Sequence, residues 1–146
     1  MILWKVMNKR EQAFQTKFNK FAKYKFLPEQ RKEGRYNFTF ELKHGDNKPL
    51  PYKALVEHQR DYLISSKGDG FYYKIPDDSM GHKPLDCFAI GNVDGALVVI
   101  TYNGKTFYMI DIDEFLKMEI NSERKSMTEE EAISSAVYQR TFSSRA

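Results

Sequence analysis

Apolar and polar residues alternate along 36–43 with the period of a β-strand. Phe38, Phe40 and Leu42 fall on one face, and Asn37, Thr39, Glu41 and Lys43 on the other. Upstream, Phe14, Phe18 and Phe21 recur at helical spacing. They predict a helix from about Asn8 to Tyr24, with Asn8 and Glu11 as its capping box. Lys17, Lys20 and Lys23 lie off that stripe. Leu27-Pro28 and the stretch from Arg31 to Arg35, with Gly34, read as a polar linker. After a loop over Gly45–Pro49, a second helix is expected from Tyr52 to Ser66. Its inward stripe is Leu55, Val56, Gln59, Tyr62 and Leu63, and Lys67–Gly70 ends it. Strands follow at Phe71–Ile75, Asp86–Ile90, Ala96–Tyr102 and Phe107–Ile112. The segment Ala96–Tyr102 is apolar on both faces, as a covered central strand would be. Asn103-Gly104 predicts a tight type I′ hairpin. Asp113 reads as the N-cap of a short helix to Met118. Thr128 and Glu131 read as the capping box of a last helix, with Ala132, Ile133, Ala136 and Val137 as its apolar face. From Gln139 to Ala146 the pattern predicts a polar, mobile tail.

This order of helix, strand, helix, strands and helix predicts an α+β fold. It would be a single domain over 1–146, a mixed central β-sheet flanked by helices, opened by a basic helix and linker over 1–35. A chain of 146 residues can bury enough surface to fold without disulfides, and its 11 Phe and 9 Tyr supply apolar area. Net charge is only +3, but from Lys5 to Glu33 nine Lys or Arg face three Glu, so the N-terminal region is locally basic. The single cysteine, Cys87, excludes an internal disulfide and a cysteine-based zinc cluster, and its apolar neighbours suggest a buried thiol. No stretch has the length or apolarity of a membrane span, and the N-terminus is too short in apolar residues for a signal peptide. The reading is a soluble cytoplasmic protein with no membrane partner.

Glu41 and Lys43 are the first candidates for chemistry. Residues two apart on a strand share a face, so a carboxylate and an ammonium project together. The carboxylate can bind a hard divalent cation, and the ammonium can offset charge on a phosphate. Asp86 opens an apolar strand, where a carboxylate needs a partner or a metal; it also reads as a turn cap. Gln59 sits on an otherwise apolar stripe, so its amide is expected to meet the sheet, either supporting a site or satisfying a backbone group. His58 faces outward, and His44 and His82 lie in loops. No histidine pair has metal-ligand spacing. The acidic pairs Asp77-Asp78 and Asp111/Asp113 rank below Asp86. A phosphate-binding glycine loop, a Gly-x-Ser-x-Gly elbow and a cysteine with nucleophile partners are all missing from the sequence.

Four blocks carry a family likeness: Phe38-Thr-Phe-Glu-Leu-Lys43, Leu55-Val-Glu-His-Gln59, Tyr73-Lys-Ile-Pro-Asp77 and Lys83-Pro-Leu-Asp86-Cys-Phe; it extends from about Phe38 to Val137, through Ile110-Asp-Ile-Asp-Glu-Phe115. In this order they resemble small phage-type PD-(D/E)XK nucleases of the Holliday-junction-resolvase-like kind. The resemblance implies a restriction-endonuclease-like fold, Mg²⁺ or Mn²⁺ held by Glu41 and Asp86, and cleavage of DNA phosphodiester bonds. It implies that Lys43 and Gln59 complete the site and that Glu11 matches the helical Glu of resolvase-like members. It also implies a homodimer acting on branched or four-way-junction DNA, in the host cytoplasm for a phage-encoded protein. Lys17, Lys20, Lys23, Arg31, Lys32, Arg35 and Lys83 are the candidate DNA-backbone contacts. The chain departs from the usual pattern in one respect. The family's Asp precedes its Glu-x-Lys strand, whereas Asp86 lies 43 residues after Lys43, so the active site would be permuted. Asp77, Asp78 or Asp111 would take its place if Asp86 does not reach Glu41. Two other readings are a nuclease fold that binds DNA without cutting it, and a virion or interaction protein with no nucleic-acid role.

Overall fold

The computed structural model describes residues 9–68, 71–74, 87–90 and 92–142. A helical rod opens the chain: α1 (Lys9–Phe21), a π-helical turn (Ala22–Phe26) and α2 (Leu27–Lys32) run without a break. The π turn has a physical reason. Phe21 and Phe26 are five apart, which an α-helix would rotate onto different faces, yet both are buried with ring centres 6.1 Å apart. The linker expected at Leu27-Pro28 is instead helix: Pro28 stands directly after the π turn, where the Leu27 N–H still bonds back to Ala22 O. Gly34, at φ 80°, ends the rod: its N–H donates to Arg31 O and the Arg35 N–H to Gln30 O, the paired bonds of a Schellman cap.

Strand β1 (Phe38–His44) pairs in parallel with β5 (Gly95–Thr101), which pairs antiparallel with β6 (Thr106–Asp111), itself antiparallel to β8 (Tyr138–Thr141). The result is a mixed four-stranded sheet in the order β1-β5-β6-β8. Two small ladders accompany it: β2 (Leu50–Pro51) with β7 (Ser126–Met127), and β3 (Phe71–Lys74) with β4 (Cys87–Ile90). Helices cover both faces of the main sheet. On one side Phe14, Phe18, Phe21 and Phe26 of the rod pack on Leu97, Val99, Phe107 and Met109. On the other, α3 (Glu57–Gly68), α4 (Ile112–Asn121) and α5 (Glu129–Ser135) enclose Val98, Ile100 and Ile110, with Leu55, Leu63, Phe115 and Ala132 at the contact. Every residue of β5 is buried, as its two-sided apolar pattern requires. This is an α+β single domain with helices flanking a mixed sheet.

Several local expectations need correction. The β5–β6 hairpin is not a two-residue type I′ turn. Only Gly104 of its loop has positive φ, and the side chains organise a wider loop: Asn103 Oδ1 accepts from the Lys105 and Thr106 N–H groups, and Thr101 Oγ1 from the Gly104 N–H. Asp111, not Asp113, caps α4, accepting from the Asp113 N–H at 3.0 Å. The Thr128–Glu131 capping box is present, but of the face assigned to that helix Ile133 is 48% and Val137 65% exposed. The helix stops at Ser135, and the chain turns back so that the Val137 N–H donates to Met109 O. The predicted tail thus begins as strand β8, whose Arg140 guanidinium lies 5.0 Å over the Phe21 ring. Of the stripe expected on the second helix, Leu55 lies before α3 and is buried, as is Leu63 on it, but Val56 and Tyr62 are 40% and 46% exposed. Among the described residues, no helix is long and apolar enough to cross a membrane.

Candidate functional site

Strand β1 is where the two sides of the molecule differ most. Phe38, Phe40 and Leu42 pack into the aromatic cluster under the rod. Thr39, Glu41 and Lys43 face the other way, toward α3, because successive side chains alternate. Thr39 is fixed there: its buried hydroxyl lies 2.9 Å from that of Ser66, which donates to Leu63 O. Among the described residues β1 pairs with β5 alone and so lies at an edge of the sheet. Along that edge runs a groove of about 1020 Å³, with the whole of β1 as its floor, Glu11, Gln15, Asn19 and Lys23 of the rod on one wall, and Gln59 and Tyr62 of α3 on the other.

The groove collects Glu11, Glu41, Lys43 and Gln59 from three separate elements. Glu41 is half-buried, and burial pushes its carboxyl above the ordinary range; the neighbouring Lys43 ammonium and His58 imidazole pull the other way. A carboxylate kept partly out of water gains more from a bound cation or proton than a solvated one does, and the Lys43 ammonium beside it works against that gain. Gln59 has a structural task as well. Its Oε1 accepts from the Val56 N–H at 3.2 Å, closing the first turn of α3, which leaves its amide N–H groups for the groove. His44 closes one end: its ring is buried edge-on to Phe14, and its Nδ1 accepts from the Asp46 N–H at 3.0 Å.

Other candidates lie elsewhere. Asp111 and Asp113 hold the Lys67 ammonium at 2.9 and 2.6 Å, so this acidic pair serves a helix cap and an ion pair. Of the candidate DNA contacts on α1 and its extension, Lys23 lines the groove, whereas Lys17 and Lys20 are exposed on a different flank. Arg31 and Lys32 are exposed at the end of the rod, and Arg35 is tied into the helix-end turn by Gln30 and Glu33. Asp86, Asp77, Asp78 and Lys83, and the N-terminal cap Asn8, lie outside the described residues. Among the described residues, no group of three or more His, Cys, Asp or Glu side chains converges to hold a metal ion.

Two residues of α3 that bear on the site were not singled out as candidates, Tyr62 in the groove wall and His58 near Glu41. His58 is exposed, as its pattern predicts, yet its imidazole acts on Glu41. Tyr62 was assigned to the inward stripe but forms part of the groove wall. The signal for both was available in the helical phase. Residues 58 and 62 are four apart, so they share a flank of α3, one step round from the buried Leu63. Compared with known proteins, the chain matches no family model, no curated protein and no solved structure.

Proposed function

We propose that the chain is a metal-dependent DNA endonuclease with a restriction-endonuclease-like fold and that the groove along β1 is its active site. The observation that carries this reading is that Glu41, Lys43, Gln59 and Glu11 all line one groove. These are the residues that the Glu-x-Lys pattern and the family likeness select, drawn from a strand and two helices that only the fold brings together.

Of the proposed ligands, Glu41 lies among the described residues, and its carboxylate is of the kind that a hard cation takes. Glu41 offers carboxylate oxygens in a half-buried setting, and Mg²⁺ commonly takes one or two carboxylates, with water and substrate phosphate completing its shell. In this proposal Glu41 holds Mg²⁺ or Mn²⁺ with Asp86 as its second carboxylate. A bound ion supplies polarisation of the scissile phosphate and a more acidic water. Lys43 offsets negative charge gathering on the phosphate, a role that a cation two residues from the ligand on the same strand face is placed to fill. The Gln59 N–H groups donate to the substrate backbone or to the attacking water. The half-buried groove raises the value of each of these interactions by keeping part of the solvent out.

The test is cleavage of supercoiled plasmid and of a four-way junction by the full chain, in Mg²⁺, in Mn²⁺ and in EDTA. The expected result is cutting in either metal and none in EDTA. Binding with no metal-dependent cutting of either substrate would favour a non-catalytic DNA-binding module instead.

A further inference from the structure

The helical rod carries a second feature that the groove does not use. From Gln12 to Lys32 it bears six cations, Lys17, Lys20, Lys23, Lys25, Arg31 and Lys32, against one acid, Glu29, which pairs with Lys25 at 3.3 Å. The rod is about 35 Å long at 1.5 Å per residue, comparable to one turn of a nucleic-acid duplex. Its apolar stripe is consumed by the aromatic core. Tyr24, in the middle of the π turn, nonetheless points outward and is 71% exposed, with the Lys23 ammonium 5.3 Å from its ring centre. Lys17, Lys20 and Tyr24 recur at helical spacing and share one flank. Lys23 joins that flank to the groove, since it lines the groove and also covers the Tyr24 ring.

An exposed aromatic ring set among cations has a definite complement. Polyanion affinity alone would need only the lysines. A planar ring with a cation on it adds a surface on which a base can stack, and that works only where the base is not already paired and stacked in a duplex. We infer that Tyr24, flanked by Lys20 and Lys23, is a stacking contact for an unpaired base of a nucleic-acid strand that leaves the groove past Lys23. Lys17 and Lys20 hold the backbone that follows. The substrate class is therefore DNA with a single-stranded or unpaired segment next to the site. The identity of the strand in the groove rests on the nuclease reading; the stacking surface itself does not.

The experiment measures binding in EDTA, so that it is independent of cleavage. The full-length chain, Tyr24→Ala, Tyr24→Trp and Lys17→Glu/Lys20→Glu are titrated with a fluorescent single-stranded oligonucleotide and with the same sequence as a blunt duplex. Tyr24→Ala is expected to weaken single-strand binding by about tenfold, while duplex binding changes by less than about twofold. Tyr24→Trp retains single-strand affinity, and the double charge reversal weakens both ligands and flattens their salt dependence. Equal losses for both ligands in Tyr24→Ala, no loss for either, or a wild-type chain that binds neither at low salt would each overturn the inference. A chain that shows the Tyr24 effect but never cuts DNA would keep this surface and reject the nuclease. Metal-dependent cutting without the Tyr24 effect would do the reverse.

Discussion

The two faces of β1 carry the same strand through very different surroundings. On one face Phe38, Phe40 and Leu42 join an aromatic cluster in which Phe18 lies 5.2 Å from Phe40 and 5.5 Å from Phe107, ring centre to ring centre. On the other, Thr39 is fastened to Ser66, and the next two side chains, Glu41 and Lys43, look into a groove. The first face gains stability from every atom it buries. The second holds a carboxylate partly out of water, which opposes stability unless something other than folding rewards it. A polar strand face kept half-buried is what the proposed active site would require.

The comparison can be broken first on the aromatic side. Phe18→Ala should destabilise the fold by about 3–5 kcal/mol, because a 2% exposed ring would leave a cavity among rings that cannot collapse into it. Chemical denaturation reads this directly, and a loss near zero would mean that the rod is not held by its aromatic stripe. The polar side should respond weakly and with the opposite sign. Since burial raises the Glu41 carboxyl above its ordinary pKa of 4.5, the folded state holds that proton more tightly than the unfolded chain does. Its contribution to stability is full below the unfolded value and is lost as pH rises through the raised one. Glu41→Gln should therefore be slightly more stable than the wild type at neutral pH, and the gap should close on acidification below the ordinary carboxylate range. Denaturation midpoints across that range check the sign. A variant that is markedly less stable at neutral pH would mean that Glu41 is a structural group.

The same contrast explains how much was legible in the sequence. Wherever burial imposes a clear period, the pattern carried through: the strand alternation at Phe38–Lys43, the two-sided β5 and the Phe14, Phe18, Phe21 stripe all appear in the fold. Short polar segments gave no such signal. Gln139–Thr141 looks like a tail because its one inward residue is Arg140, which packs by laying its guanidinium on Phe21. The continuation of the rod through Pro28 depends on a π turn that no helical template anticipates. Within the groove, Glu41, Lys43 and Gln59 could be chosen from strand and helix phase, but which cations reach them could not be chosen from charge alone. Lys17, Lys20 and Lys23 look equivalent in the sequence, and only their positions along and around the rod, set against the edge of the sheet, separate Lys23 from the other two.

The central claim is that Glu41 is retained for chemistry and not for folding. Its most direct test is to measure plasmid cleavage in Mg²⁺ and the unfolding midpoint on the same preparations of wild type and Glu41→Ala. The account predicts a cleavage rate at least about a thousandfold lower, a loss of roughly 4 kcal/mol of transition-state stabilisation, with a midpoint within error of the wild type or slightly above it. A variant that cuts at the wild-type rate, or one that stops cutting only because it unfolds, would contradict it.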